Sequence, residues 1–194
     1  MTIARKLAIL VLFALLGMGE MTARFLVSER KLILEERQTG VRQVVEVAHG
    51  IAVHFHTLSA KGAMPDEEAR QRAAAAMQAL RYSGNEYIWI NDMHPRMVMH
   101  PVRPELNGQD LSANKDPNGL PLFMEFVRIV KTQGAGFVPY MWPKAGSDIP
   151  VEKTSYVKGF EPWGWVIGSG AYIETVNAAI CKRAMGFGAV ALAL

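Results

Sequence analysis

An uncharged apolar run near the amino terminus is the feature that most constrains this chain of 194 residues. Arg5 and Lys6 precede the run, which extends from Leu7 to Gly19. A basic start before a short apolar stretch is shared by signal peptides and membrane anchors, and the run is shorter than a full span of about 20 residues. Because residues 17–20 form a poor cleavage site, we expect an uncleaved anchor over residues 1–28, with its amino terminus in the cytoplasm.

A second apolar run lies at the other end of the sequence. Lys182 and Arg183 precede residues 184–194, which contain no charged side chain. A hydrophobic helix packed on the core would explain this run, but we favour an exit helix and the truncated start of a second membrane span over residues 173–194. Two spans would place residues 29–172 on the outer side of the inner membrane, in the periplasm or outside the cell.

The chain has the composition of a folded protein, and its central part is about the size of one domain. Half of the residues are hydrophobic and 20% are charged, so the chain can bury a core. A single cysteine, Cys181, cannot form an internal disulfide, so packing must hold the fold together. The net charge is +3, but no basic run appears, and nucleic acid is therefore not an expected partner.

Two helices are predicted before any strand. Apolar residues recur at steps of three and four between Glu29 and Ser59, which is typical of a long amphipathic helix continuing from the first span. Pro65, followed by three acidic residues, is a favourable helix start, and this second helix is expected to run to about Arg81.

The pattern then changes to short alternating segments, which predict one antiparallel sheet of five strands. A further helix is expected from about Leu120 to Thr132. The fold class expected is therefore α+β, flanked by transmembrane helices. The five strands are expected at Tyr87–Asn91, Arg96–His100, Phe137–Trp142, Lys153–Phe160 and Trp165–Tyr172.

Catalytic and metal-binding patterns are missing from the sequence. His49, His54 and His56 lie on the long helix at steps that do not place them together, so no metal site is expected. No nucleophile has a neighbouring base at a recognisable spacing, and no cofactor loop is present. The glycines of residues 168–170 lie within a strand, where they indicate close backbone approach. An enzyme is the least favoured class of function.

Aromatic and polar residues alternate along the third and fourth strands. Tyr140 and Trp142 share a phase with Lys144, and Tyr156 and Lys158 follow the same alternation one strand later. Phenol, indole and ammonium groups over one sheet face would offer a small anion directional donors, charge and dry walls. A solvated face with snorkelling side chains fits the pattern equally well.

The first hairpin carries large or polar groups where plain core residues would be expected. Trp89 lies in the first strand, and His100 ends the second strand, where Pro101 removes the next backbone donor. His100 fits a hydrogen-bonded core histidine and a ligand-binding group equally well.

An ordered series of motifs resembles the single Cache domain of the second type, over about Glu29 to Tyr172. This family provides the extracytoplasmic sensors of bacterial methyl-accepting chemotaxis proteins and of some histidine kinases. The resemblance implies a PAS-like sheet packed against a long helix, between two membrane spans. The motifs are Asn85-Glu86-Tyr87-Ile88-Trp89-Ile90-Asn91-Asp92, Met99-His100-Pro101, Pro104-Glu105-Leu106-Asn107-Gly108, Tyr140-Met141-Trp142-Pro143-Lys144 and the run from Lys153 to Trp165.

The resemblance also implies a function and a site. Family members bind small carboxylates of the acetate, propionate, lactate, pyruvate or malate type, and Lys158 is expected to supply the positive charge. Further expected partners are the membrane and a second copy of the chain, held through the long helix. A kinase or cyclase output, or a ligand-independent dimerisation module, remains an alternative. The expected ligand-binding residues are Tyr87, Trp89, His100, Tyr140, Trp142, Lys144, Tyr156 and Lys158.

Overall fold

The computed structural model describes residues 2–173, which form two units, residues 2–36 and residues 37–173. Nearly all of the first unit is the amino-terminal part of helix α1 (Ile3–Ala60). Among the described residues, this helix alone is long and apolar enough to cross a membrane. The predicted second span lies outside the described residues.

The helices and strands confirm the predicted α+β fold class, with small shifts at element boundaries. In chain order the elements of the described region are α1 (Ile3–Ala60), α2 (Asp66–Ala79), β1 (Ile88–Asp92), β2 (Met97–Met99), α3 (Leu122–Gln133), β3 (Ala135–Pro143), β4 (Pro150–Phe160) and β5 (Trp165–Tyr172).

The five strands form one antiparallel sheet in the order β2-β1-β5-β4-β3. Strand β4 is paired along nearly all its length with β3 on one side and β5 on the other. Because side chains alternate between faces along a strand, this register decides which residues can meet.

One face of the sheet, which we call the helix face, packs against α1 and α2. The apolar stripe of α1 includes Val41, Val45 and Ala48, which are buried in the same core cluster as Ile90 and Ile167 of the sheet. The apolar residues that recur at steps of three and four in the sequence therefore lie on the side of α1 that contacts the sheet. Helices α1 and α2 therefore cover one of the two faces of the sheet.

The opposite face, which we call the cavity face, is covered by α3. Phe126 and Val127 are buried there in a second core cluster. The helix approaches so closely that a Cβ atom at Gly136 would lie 2.7 Å from Ile129 Cγ2, and one at Gly159 would lie 2.6 Å from Val130 Cγ1. Two glycines in β3 and β4 therefore allow α3 to lie against the sheet beside the cavity described next.

Candidate ligand-binding site

A small cavity lies between α3 and the cavity face of the sheet. Its volume in this structure is only about 10 Å³, which is room for about one water molecule. A ligand of a few heavy atoms would therefore have to displace some of the lining side chains. All of its lining side chains are buried, namely Tyr87, Trp89, His100, Leu122, Phe123, Phe126, Tyr140 and Trp142.

Two glycines of β5 make room for the side chains at this site. A Cβ atom at Gly168 would lie 2.4 Å from the nearest ring atom of Trp89, and one at Gly170 would lie 2.8 Å from Lys153 Cε. The indole and the lysine stem therefore lie directly on the backbone of β5. This confirms the close backbone approach predicted for residues 168–170.

A buried lysine, Lys153, lies beside the cavity, with 1% of its surface exposed. Its Nζ atom is 3.3 Å from the hydroxyl of Tyr87 and 3.5 Å from that of Tyr172. The ammonium also lies 4.3 Å from the ring centroid of Tyr87, 4.6 Å from that of Tyr172 and 5.7 Å from that of Trp89. Within residues 2–173, Lys153 belongs to no ion pair. The charge is held by aromatic rings and phenol oxygens, without a carboxylate.

The hydroxyl of Tyr87 is arranged to donate a hydrogen bond. Its oxygen accepts from Lys153 Nζ and, at 3.1 Å, from Trp142 Nε1. A phenol has one donor and up to two acceptor positions, so these two contacts leave the O–H as its donor. That O–H is hydrogen-bonded to the hydroxyl of Tyr172, which itself donates to the carbonyl of Pro143. The hydroxyl of Tyr140 is 2.9 Å from Ser155 Oγ.

His100 is a neutral donor in this site. Its Nδ1 atom accepts hydrogen bonds from the backbone N–H groups of Arg103, at 2.9 Å, and Val102, at 3.3 Å. Burial, with further contributions from Lys153 and Arg103, lowers the pKa of His100 to about 3. A neutral imidazole that accepts at Nδ1 carries its proton on Nε2, so that nitrogen is a donor at neutral pH.

A second cation lies close to the aromatic lining. The guanidinium carbon of Arg103 is 5.5 Å from the ring centroid of Trp142, and its Nη2 atom is 3.4 Å from Asp148 Oδ1 in the loop between β3 and β4. Arg103 therefore links the segment after His100 to that loop. Neither Arg103 nor Lys153 was among the residues predicted for this site.

The structure brings together five of the predicted site residues: Tyr87, Trp89, His100, Tyr140 and Trp142. Lys144 is partly buried outside the cavity lining, with its Nζ atom 5.8 Å from the ring centroid of Tyr172. The participation of these residues in ligand binding stays a prediction.

Tyr156 and Lys158 do not lie with the others, and the predicted common face is wrong. In the observed register Tyr140 pairs with Lys153, and Tyr156 pairs with Phe137. Tyr156 therefore belongs to the core on the helix face, and Lys158 forms an ion pair with Glu46 of α1. The prediction assumed that even-numbered residues of both strands share a face, whereas the register pairs even with odd. The sequence shows that Lys153 and Ser155 lie on the same face of β4. It does not show which residues of β3 share that face.

Acidic and imidazole side chains do not cluster in this site. Across the described chain, no group of three or more His, Cys, Asp or Glu side chains is placed to hold a metal ion. What the site offers is a set of hydrogen-bond donors, a buried positive charge and aromatic walls. A small anion with a short apolar part matches these groups.

Comparison with known proteins identifies the family. A Cache domain model, dCache_2, matches residues 20–186, so the chain belongs to the Cache domain family. The motifs above resemble the single type and the matching model is named for the double type, but both are Cache domains. The chain is 39% identical over 183 residues to the methyl-accepting chemotaxis protein McpP of Pseudomonas putida, a match that covers 94% of this chain and 34% of that protein.

A second curated relative has a different output. The sensor histidine kinase MctS of Rhizobium johnstonii is 30% identical over 124 residues, which cover 64% of this chain and 27% of that protein. The chain thus spans about a third of the length, or less, of the curated relatives it matches.

Two solved structures share the fold at high sequence identity. One is described as the periplasmic sensor domain of a chemotaxis protein and is 56% identical, with a TM-score of 0.71 over 72% of this chain and 96% of that one. The other, described under carboxylic acid recognition by a Cache chemosensory domain, is 48% identical, with a TM-score of 0.71 over 73% of this chain and 97% of that one.

Proposed function

We propose that this chain is the ligand-sensing part of a bacterial transmembrane receptor and that it binds a small carboxylate in the cavity between α3 and the sheet. One observation carries the proposal: Lys153 is a buried ammonium beside a cavity of donors, with no carboxylate paired to it in the described residues. A charge buried without its partner is costly, and an anionic ligand would supply that partner. The relative described for carboxylic acid recognition supports the same ligand class.

The carboxylate would be held by charge and by directional donors. Lys153 supplies the positive charge and His100 Nε2 donates a hydrogen bond. The O–H of Tyr87 donates a second one when it turns from Tyr172 to the ligand. Trp89 and Phe126 enclose the apolar part of the ligand. These donors are already removed from water in the folded protein. A ligand that occupies the site without accepting their hydrogen bonds leaves buried polar groups unpaired, and it therefore binds weakly.

Strand β4 provides a route from the cavity to α1. Lys153 lies on its cavity face, while on its helix face Tyr156 lies 5.3 Å from the guanidinium carbon of Arg42 and Lys158 pairs with Glu46. A ligand that binds one arrangement of β4 more tightly would shift α1, and helix displacements of about 1–2 Å are usual in switching proteins. The coupling free energy would be about 1–3 kcal/mol.

The proposed setting is the inner membrane, with residues 29–172 in the periplasm or outside the cell. The apolar amino-terminal part of α1 is the anchor, and the periplasmic relative supports the placement of the sensor. A homodimer through α1 is part of the proposal, because Val47 and Val53 of that helix are 65% and 42% exposed. The chemoreceptor relatives favour a chemotaxis output, and the histidine kinase relative makes a kinase output the second candidate.

The experiment that tests ligand binding is titration of the whole chain in lipid nanodiscs by calorimetry. Acetate, propionate, lactate, pyruvate and malate are compared with acetamide, a neutral molecule of nearly the same shape as acetate. We expect at least one carboxylate to bind at least tenfold more tightly than acetamide, because only the anion can pair with the ammonium. Failure of every carboxylate to bind, together with no rise in melting temperature, would overturn the proposal.

A further inference from the structure

Glu86, next to the site residue Tyr87, has a side chain whose surroundings the sequence did not predict. Its Oε2 atom is buried and meets no hydrogen-bond donor among the residues that the structure describes. Its backbone is held in place by two hydrogen bonds with Tyr82. A carboxylate oxygen removed from water without a donor is unfavourable in its ionised form, so this geometry favours the protonated acid.

The charged and titratable groups around Glu86 come from α1, from the segment before β1, and from β3, β4, β5 and the loop after β3. Two hydroxyl groups nearby are already engaged: Tyr82 is 2.7 Å from Ser169 Oγ, and Tyr172 donates to the carbonyl of Pro143. The charged and titratable neighbours are Arg37 of α1, Tyr82 and Tyr87 before β1, Tyr140 of β3, Lys144 of the following loop, Lys153 of β4 and Tyr172 of β5.

Glu86 therefore has two opposing influences on its charge. Burial raises the pKa of Glu86, while Lys153, Arg37 and Lys144 act in the opposite direction. When Glu86 is ionised, it is the carboxylate that interacts electrostatically with Lys153. A carboxylate ligand would need the same positive charge, and two anions close together in a dry site repel each other.

We propose that Glu86 makes ligand binding sensitive to protons: its ionised carboxylate competes with the ligand for Lys153, so carboxylates bind more tightly in acidic medium. This inference rests on the proposed function, since it concerns the regulation of the same site. By linkage, binding of an anion next to Glu86 must be accompanied by proton uptake wherever the ligand raises the pKa of that residue.

The direction of the pH dependence follows from this linkage. Below the pKa of Glu86 in the empty site, the residue is neutral in both states and affinity is constant. Between that value and the higher pKa of the occupied site, affinity falls about tenfold for each pH unit as pH rises. His100 and Tyr82 do not mimic this effect, because the pKa of His100 is about 3 and burial raises that of Tyr82 to about 12.

The test measures the dissociation constant of acetate from pH 5 to pH 8.5 with the full chain in nanodiscs. Wild type is compared with Glu86→Gln, and with Glu67→Gln on α2 as the matched control, since Glu67 is exposed on a helix of the opposite face. We expect the dissociation constant of wild type and of Glu67→Gln to rise with pH. Glu86→Gln should keep the tighter, low-pH affinity throughout.

The other possible outcomes would contradict either the role of Glu86 alone or the proposed function as well. Acetate binding by wild type with no pH dependence would overturn the role of Glu86 and leave the proposed function standing. No binding of acetate or the other carboxylates at any pH would overturn both. If Glu86→Gln does not fold, proton uptake by wild type is measured by calorimetry in two buffers of different ionisation enthalpy. An identical heat in both buffers would then reject the inference.

Discussion

The two faces of the sheet use similar side chains for different purposes. Lys153 and Lys158 lie on the same strand, five residues apart, so they point to opposite faces. Lys153 is 1% exposed and surrounded by aromatic rings, whereas the side chain of Lys158 is 27% exposed and pairs with Glu46 of α1. The first lysine has no ion-pair partner in the described residues, which is why we propose it as the partner of an anionic ligand, and the second is paired with a carboxylate of the protein. Residue type alone therefore does not identify a binding group.

The largest expected difference between the faces is in ligand binding. We expect Lys153→Met to weaken acetate binding at least 30-fold, about 2 kcal/mol, because a buried charge partner is removed. The melting temperature should stay the same or rise, since methionine replaces a buried ammonium without a carboxylate.

Lys158→Met is the matched control for that change, on the same strand and the opposite face. Calorimetry of both variants should show less than a twofold change in the dissociation constant of acetate for Lys158→Met. Equal losses of affinity in the two variants would contradict the assignment of the cavity face as the binding face.

Packing of the cavity face gives the next largest effect. Gly168→Ala would place a Cβ atom 2.4 Å from the indole of Trp89, so we expect a loss of about 1–3 kcal/mol in the free energy of unfolding and weaker acetate binding. Gly50→Ala on α1 meets no atom within 4 Å and should stabilise the helix by about 0.5–1 kcal/mol. Denaturant unfolding measures both, and the same sign for both variants would contradict the close packing at β5.

The neutral His100 gives the cavity face a pH dependence of its own. The pKa of His100 is lowered from 6.5 to about 3, so below pH 6.5 the unfolded chain binds a proton that the folded chain does not. Stability is therefore lost as pH falls, by about 2 kcal/mol from this residue at pH 5.

His100→Asn keeps an acceptor where Nδ1 lies and removes this titration, so unfolding curves should lose that part of the acid sensitivity. The exposed His54 on α1 offers the control, His54→Asn, which should follow wild type. An unchanged pH profile for His100→Asn would show that the imidazole can be protonated in the folded site.

The smallest expected effect belongs to the ion pair on the helix face. Glu46→Gln should lower the free energy of unfolding by less than about 1 kcal/mol, because both side chains are partly exposed and share their charges with water. The difference from wild type should vanish in 1 M salt, where such charges are screened. A loss that persists in high salt would mean that Glu46 contributes through packing.

The elements of the fold were predictable because their signals are local. The apolar stripe of α1 recurs every three or four residues, and the side that it marks is buried against the sheet. Pro65 and the acidic residues after it mark the start of α2 within one residue. In each case neighbouring residues suffice, because a helix is built from contacts between residues a few positions apart.

The site was predicted only in part because it depends on pairing between strands. Tyr87, Trp89, His100, Tyr140 and Trp142 were identified from the motifs, and the structure places them around one cavity. Tyr156 was assigned to the wrong face because the loop between β3 and β4, at residues 144–149, allows more than one register. A shift of one residue moves a whole strand's side chains to the other face.

The order of residues along the chain was enough to establish the helices, the strands and the apolar run near the amino terminus, since each depends on composition and spacing within a short window. The ordered motifs were enough to indicate the Cache family. Strand register and the approach of α3 decided which lysine is buried without an acid and which carboxyl group, that of Glu86, lies near it. Those placements depend on contacts between residues far apart in the chain, and only the folded arrangement brings such residues within a few ångströms of one another.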